Sequence, residues 1–492
     1  MSEAVSRVAL PEQQDLVADR WEPAGVERSE WIEHSADGRA EQRQREASAG
    51  AVEKALAAAW NTHESATWWS LDDNERADVL EAAAERLALR VPEIAALESA
   101  TTGVVNGMTS MLGFIVHGAF RLAADQLRGG VLDSRFDGPA GSPVEVRRLP
   151  FGPALLLCPW NAPAPMAAHK MASALAAGCP VIVKPPERAP HGTAVMVGAI
   201  HELFPTGTVQ LLHGGPATAT ALMTDRRVRS VSFTGGIVGG RAVARACAED
   251  LKPAQLELGG HSPLLVLEDA PIAHAVEAVL GLLTTLNGQW CRALGRLLLP
   301  AARAGEILDA VMAALSEVRV GDPMHSATQM GPMVHSAHRR HLVERVHSLV
   351  SEGGRAISST SLPDGPGNWF APTLIDGLDS STTTEEIFGP VAAVHRWESL
   401  EEAVKLANGT EYGLEAYVVG GDPDRSMAVA RRIRAGGVKV NGVLPMSLNL
   451  MAPRPAFGIS GLHDEGTVET IRFFGGNRVA GIESSLGLAP PA

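Results

Sequence analysis

"ALLLCPWNAPAPMAAHKMASALAAGCPVIVKPPE" (154–187) decides the fold. The run ALLLC is apolar at every position and stops at Pro159, the pattern of a strand buried on both faces. A helix of small residues follows, MASALAAG, with Gly178 where a helix stop belongs. CPVIVK is then a second short apolar run that ends on a charge. Strand, helix and strand in that order make a parallel α/β unit, and ligands of such sheets sit at the carboxyl ends of the strands. Asn161 and Lys184, which close these two runs, are therefore the first candidates for a site.

The pattern repeats outward. Downstream come AVMVGAIHELF (194–204), the strand VQLLHG (209–214), the helix ATALMTD (219–225) and the strand RSVSFTGG (229–236). After Glu257 a second alternating series runs through PLLVLE, a helix around 271–286, RLLLP and GVKVNG, which predicts a second α/β domain. Upstream, 48–60 and 70–90 carry apolar residues at three- and four-residue steps, with Ser70 as the expected N-terminal cap and Asp73 in the first turn. Residues 1–45 lack periodicity and read as a surface arm outside the core. The Gly-rich piece 128–142 reads as a hairpin.

Composition bounds the function. The 492 residues are 45% apolar and 20% charged, the balance of a folded globular protein. A net charge of −14 disfavours nucleic acid and anionic membrane surfaces as partners. No apolar run reaches the roughly 20 residues of a bilayer span, and the first residues lack a signal-peptide pattern, so a cytoplasmic protein is expected. Four cysteines, Cys158, Cys179, Cys247 and Cys291, form no CxxC pair, which predicts reduced thiols and no metal site.

Polar residues that interrupt or close apolar stretches then fall into order: Asn161 in PWNAP, Lys184 and Glu187 in KPPERAP, Gly235 in SFTGG, Glu257 in LELGGHSP, Cys291 in NGQWCRA, and Glu386 with Phe388 in EEIFGPV. Each alone reads as ordinary loop or strand-end polarity. Together, and in this sequence, the strings resemble the motifs of the aldehyde dehydrogenase superfamily from about residue 50 to the tail.

That resemblance implies a Rossmann-like cofactor domain (46–125 and 148–257), a second α/β catalytic domain (258–467), and a small oligomerisation β-sheet built from 126–147 and 468–492 in a homodimer or homotetramer. It implies that Cys291 is the nucleophile. A thiolate adds to an aldehyde to give a thiohemiacetal, which can expel hydride to a nicotinamide and leave a thioester. It makes Asn161 the oxyanion donor with the Cys291 backbone N–H, and Glu257 the base that activates the deacylating water. Lys184 and Glu187 match positions that contact the adenosine ribose. A carboxylate there repels a 2′-phosphate, so NAD is favoured, with NADP admitted because Arg188 stands beside it. Gly235 and Gly240 resemble the pyrophosphate turn at a helix N-terminus. Trp160, Glu386 and Phe388 complete the cofactor set.

For the small-molecule aldehyde, Ala162, Met166, His169, Trp290 and Arg292 match tunnel positions. Ala162 and His169 stand where many members carry large aromatics, which implies a wide tunnel. Arg292 either anchors a substrate carboxylate, pointing to a semialdehyde, or turns away into a salt bridge. Two tyrosines in the whole chain leave little for a quaternary-ammonium cage. Gly236 and His261 depart from the family's serine and lysine, and Gly236 removes a hydroxyl donor to the pyrophosphate. The stretch AFGISGLHDEG (456–466) lacks the family lysine, so its docking at the active-site mouth is not implied. A CoA-acylating relative and a non-catalytic binding member are the alternatives; Glu257 weighs against the first, and Cys291 with Glu257 against the second.

Overall fold

A computed structural model describes residues 7–138 and 141–482. Its first sheet has eight strands in the order 20–23, 14–17, 209–211, 181–184, 154–157, 230–234, 254–257 and 461–462. The five strands from 209–211 to 254–257 run parallel, and both edges are closed by antiparallel pairing. Alternate residues of the central strands feed two cores. Leu156 and Val183 join helices Asp73–Ala88, Asn106–Arg128 and Pro163–Ala176, while Leu155, Leu157 and Ile182 join the helices Ala49–Glu64 and Ile237–Glu249. Burial on both faces is why ALLL and VIVK carry no polar residue until the strand ends. Each such side chain contributes about 1.5–3 kcal/mol relative to exposure.

The second sheet, seven strands in the order 355–357, 373–376, 391–397, 294–300, 262–266, 415–419 and 437–440, is parallel except at 355–357. Its interior is likewise split, with Leu264, Val266 and Leu297 on one side and Leu265, Leu267 and Leu298 on the other. A third, antiparallel sheet joins Asp133–Asp137, Pro143–Pro150 and Gly475–Gly481. The hairpin and most of the tail segment thus lie together, and residues 483–492 of the tail are outside the described residues. Among the described residues no helix is long and apolar enough to cross a membrane.

Two expectations are corrected. Residues 1–45 are not a coreless arm: Gln14–Val17 pairs with Val209–Leu211, Leu16 is fully buried, and the Asp15 carboxylate accepts from His213 N at 2.8 Å. Strands four residues long carry no readable period, and this one is defined by a partner almost 200 positions away. The cap of Asp73–Ala88 is Asp72, in a reciprocal capping box with Glu75, while the Ser70 hydroxyl donates to Ala66 O.

Candidate active site

The loop that carries Cys291 is set by backbone that side chains rarely adopt. Leu286, Asn287 and Gly288 are all left-handed (φ 48°, 58° and 71°). Such strain of about 1–3 kcal/mol per non-glycine residue persists only where the surroundings over-determine it. Asn287 does so: its amide donates to Gly103 O (2.8 Å) and Pro332 O (2.9 Å) and accepts from Gly331 N (2.9 Å). Gln289 Oε1 accepts from Val334 N at 3.0 Å. A Cβ on Gly260 would lie 2.2 Å from Cys291 O, so glycine is required where the strand-end loop of the first sheet meets the Cys291 loop.

This frame puts Cys291 Sγ 3.1 Å from Glu257 Oε1. Burial and the neighbouring Glu257 carboxylate raise the thiol's pKa, against the pull of Arg292. Glu257 is also raised, by burial first and then by Glu465. Both shifts favour the protonated forms, and the thiol donates to Glu257 Oε1. Asn161, at the end of its strand, donates from Nδ2 to Gln289 O at 2.9 Å, which aims the amide at the Cys291 loop and leaves its second N–H without a partner among the described residues.

Cys291, Glu257 and Asn161 line one cavity of about 280 Å³ together with Ala162, Met166, His169, Trp290 and Arg292. Its remaining wall is mostly apolar, from Leu112, Ile115 and Leu122 of the helix Asn106–Arg128 and from Met446 and Leu450. No tyrosine is in that lining. Arg292 is tied back: Nη1 is 3.0 Å from the buried Glu415, and Lys439 approaches the other Glu415 oxygen at 3.8 Å. Lys439 also donates to Leu444 O and Met446 O, linking this ion cluster to the loop that lines the cavity.

The cofactor candidates make local contacts of their own. Lys184 Nζ is 3.0 Å from Glu187 Oε1 and donates to Gly214 O. Trp160 and Phe388 stand edge to face with centroids 5.3 Å apart. Glu386 accepts from Gly260 N at 3.0 Å, and burial pushes its pKa up to about 7. Gly236 begins the helix Ile237–Glu249 with no side-chain cap, a Cβ there would meet nothing within 4 Å, and the neighbouring Thr234 hydroxyl is buried without a partner among the described residues. Open amides and an orphaned hydroxyl at a strand end fit a pyrophosphate.

Gly240 is not in that turn. It lies inside the helix, where a Cβ would collide with Leu258 at 2.4 Å, so it serves close helix–strand packing. His261 lies away from the cradle too: buried, it bonds Thr383 O at 2.8 Å. The 456–466 segment docks without its lysine, since Gly461–Leu462 pairs with the strand bearing Glu257 and Ser460 O accepts from Leu258 N.

That docking delivers residues the sequence reading missed. Glu465 pairs with the buried Lys170 (3.1 Å) and approaches Arg454 (3.6 Å). These cations outweigh the effect of burial and hold Glu465 down to about 2. A signal existed for Lys170, a lone charge inside the small apolar helix Pro163–Ala176. None existed for Glu465 or Arg454.

A thiol and a carboxylate in contact, beside an amide donor at the wall of a largely apolar cavity, are groups suited to carbonyl chemistry. The model of the aldehyde dehydrogenase family matches residues 21–477, and the chain belongs to that family. It is 35% identical to a geranial dehydrogenase of Castellaniella defragrans over 85% of this chain and 88% of that protein. It is 32% identical to a 4-(hydroxymethyl)benzenesulfonate dehydrogenase of Comamonas testosteroni over 92% and 93%. The crystal structure of betaine aldehyde dehydrogenase from Staphylococcus aureus, in complex with NAD+, superposes with a TM-score of 0.91 at 26% identity, covering 97% of this chain and 96% of that one.

Proposed function

We propose that this chain oxidises an aldehyde with a bulky, largely apolar body to its carboxylic acid, with NAD as the preferred acceptor. The observation that carries this is the 3.1 Å contact of Cys291 Sγ with Glu257 at the cavity that Asn161 also lines. Glu257 takes the thiol proton as sulfur adds to the carbonyl carbon. The oxyanion is held by the second Asn161 N–H and the Cys291 backbone N–H. Lys184, Glu187, Glu386 and Phe388 would hold NAD, which would supply the hydride acceptor. Glu257 gives up that first proton to solvent, then, ionised again, removes a proton from the water that attacks the Cys291 thioester and passes it to the departing thiolate, so that the thiol is restored as the acid leaves. A base this close to the sulfur favours hydrolysis over transfer to CoA.

Glu187, already paired with Lys184, leaves a carboxylate where a 2′-phosphate would sit, which supports NAD over NADP. The two large sheets support a division into cofactor (46–125, 148–257) and catalytic (258–467) parts, with 14–17, 20–23 and 461–462 joining the first sheet from outside the cofactor ranges. The edge strand Asp133–Asp137, exposed along its whole length, suits assembly into a homodimer or homotetramer. Unpaired thiols suit a cytoplasmic setting.

The test is NADH absorbance with aliphatic, aromatic and ω-carboxy aldehydes, run with NAD and with NADP. Turnover with NAD above that with NADP is expected; no turnover of any aldehyde would overturn the reading. Asn161→Ala is expected to lower kcat by about 10²–10³-fold with little change in cofactor affinity, as for loss of one oxyanion donor. An unchanged kcat would remove Asn161 from that role.

A further inference from the structure

We propose that Arg454 is a distal anchor of the aldehyde tunnel, so that the preferred aldehyde carries an anionic group at the end opposite its carbonyl. This rests on the reading of Cys291 as the nucleophile and extends it to the substrate class. Arg454 lines the same cavity as Cys291. It donates from Nη2 to His169 Nε2 at 2.9 Å, and its Nε is buried without a hydrogen-bond partner among the described residues.

The charges near it do not balance. Lys170 and Arg454 bring two positive charges against the single carboxylate of Glu465, which lies closer to Lys170 (3.1 Å) than to Arg454 (3.6 Å). His169 adds no anion: it is a neutral acceptor, since burial and then Arg454 hold its pKa down to about 3. Behind the cavity wall, Glu415 faces both Arg292 and Lys439, and with Glu257 acting on Lys170 and Arg292 the four cations stand against three carboxylates. The Arg454 side chain is 27% exposed, but its Nε donor is buried and unsatisfied, and an anion bound in the cavity completes it. Apart from Glu257, Glu465 and a few hydroxyls the lining is mostly apolar, and both carboxylates are already engaged, with Cys291 and with Lys170, so the guest brings the anion.

The tunnel helix supplies a ruler. Ala162, Met166 and His169 lie along it, and from Ala162 beside the catalytic Asn161 to His169 beside Arg454 is about 10 Å at 1.5 Å per residue. An extended chain of roughly eight carbons spans that distance, with an aldehyde at one end and a carboxylate or sulfonate at the other.

Two measurements test this. In the first, kcat/KM is compared for suberic semialdehyde and octanal, which differ only in the distal carboxylate. The wild type is expected to prefer the semialdehyde by about 10–100-fold, the ratio falling toward one in Arg454→Met and partly restored in Arg454→Lys. In the second, suberate and octanoate are titrated calorimetrically into Cys291→Ala, with and without Arg454→Met. Suberate is expected to bind at least tenfold more tightly only where Arg454 is present. Equal or better use of octanal, a preference that survives Arg454→Met, or an equal loss for both aldehydes overturns the assignment. Suberate bound through Arg454 with no aldehyde turned over would instead leave the anchor standing and remove the proposed reaction.

Discussion

Cys291→Ala is expected to abolish NADH formation with every aldehyde, a loss on the order of 10⁴-fold or more, while cofactor binding and melting temperature stay near wild type. No other thiol can take over. Burial pushes Cys158 and Cys179 up to about 12, and Cys247 is also raised and packed in the core between the first sheet and its helices. Without sulfur there is no covalent adduct from which an electron pair can drive oxidation, so Asn161 and the cavity retain binding alone. The fold should tolerate the change, because the loop is held by Asn287 and Gln289 and the thiol's one hydrogen bond is to Glu257. Cofactor affinity followed by fluorescence, alongside steady-state rates, separates a lost nucleophile from a lost fold. Residual turnover within about tenfold of wild type would take the nucleophile assignment away from Cys291.

What the sequence made legible follows from range. The runs at 154–157 and 181–184 are buried on both faces, so their apolar continuity is a local signal. Residues that close such strands, Asn161, Lys184 and Glu257, could be read because strand ends are where a parallel sheet meets its ligand. Where position depends on a distant partner, the signal vanished. Leu16 is a core residue only because Leu211 pairs with it, and Arg292 is tied back only because Glu415 stands opposite. Glu465 and Arg454 reach the site through a segment that departs from the expected motif, and its docking rests on edge pairing and a buried ion pair rather than on pattern. Gly240 misled for the opposite reason: a glycine chosen for helix–strand contact looks the same in sequence as one chosen for a phosphate turn.

Glu257→Gln should separate the two halves of the reaction. The amide is nearly isosteric, so the Cys291 loop and cavity are expected to persist, and the first turnover should still yield NADH, more slowly because the thiol has lost its proton acceptor at 3.1 Å. The thioester then lacks a base for its water, and steady turnover should fall by about 10²–10⁴-fold below wild type, the usual contribution of a positioned general base. Rapid mixing would record a burst near one NADH per site followed by a stalled phase. The pH dependence carries the same assignment. Glu257 acts as the ionised carboxylate, and burial followed by Glu465 raises its pKa above the ordinary carboxylate range. Steady-state activity in the wild type should therefore climb with pH through that raised value and be lost as pH falls below it, whereas the variant should lack this acid limb. A variant with wild-type steady turnover, or one that keeps the acid limb, would show that another group activates the water. Glu386, pushed up to about 7 and held on Gly260 N, would then be the next carboxylate to replace.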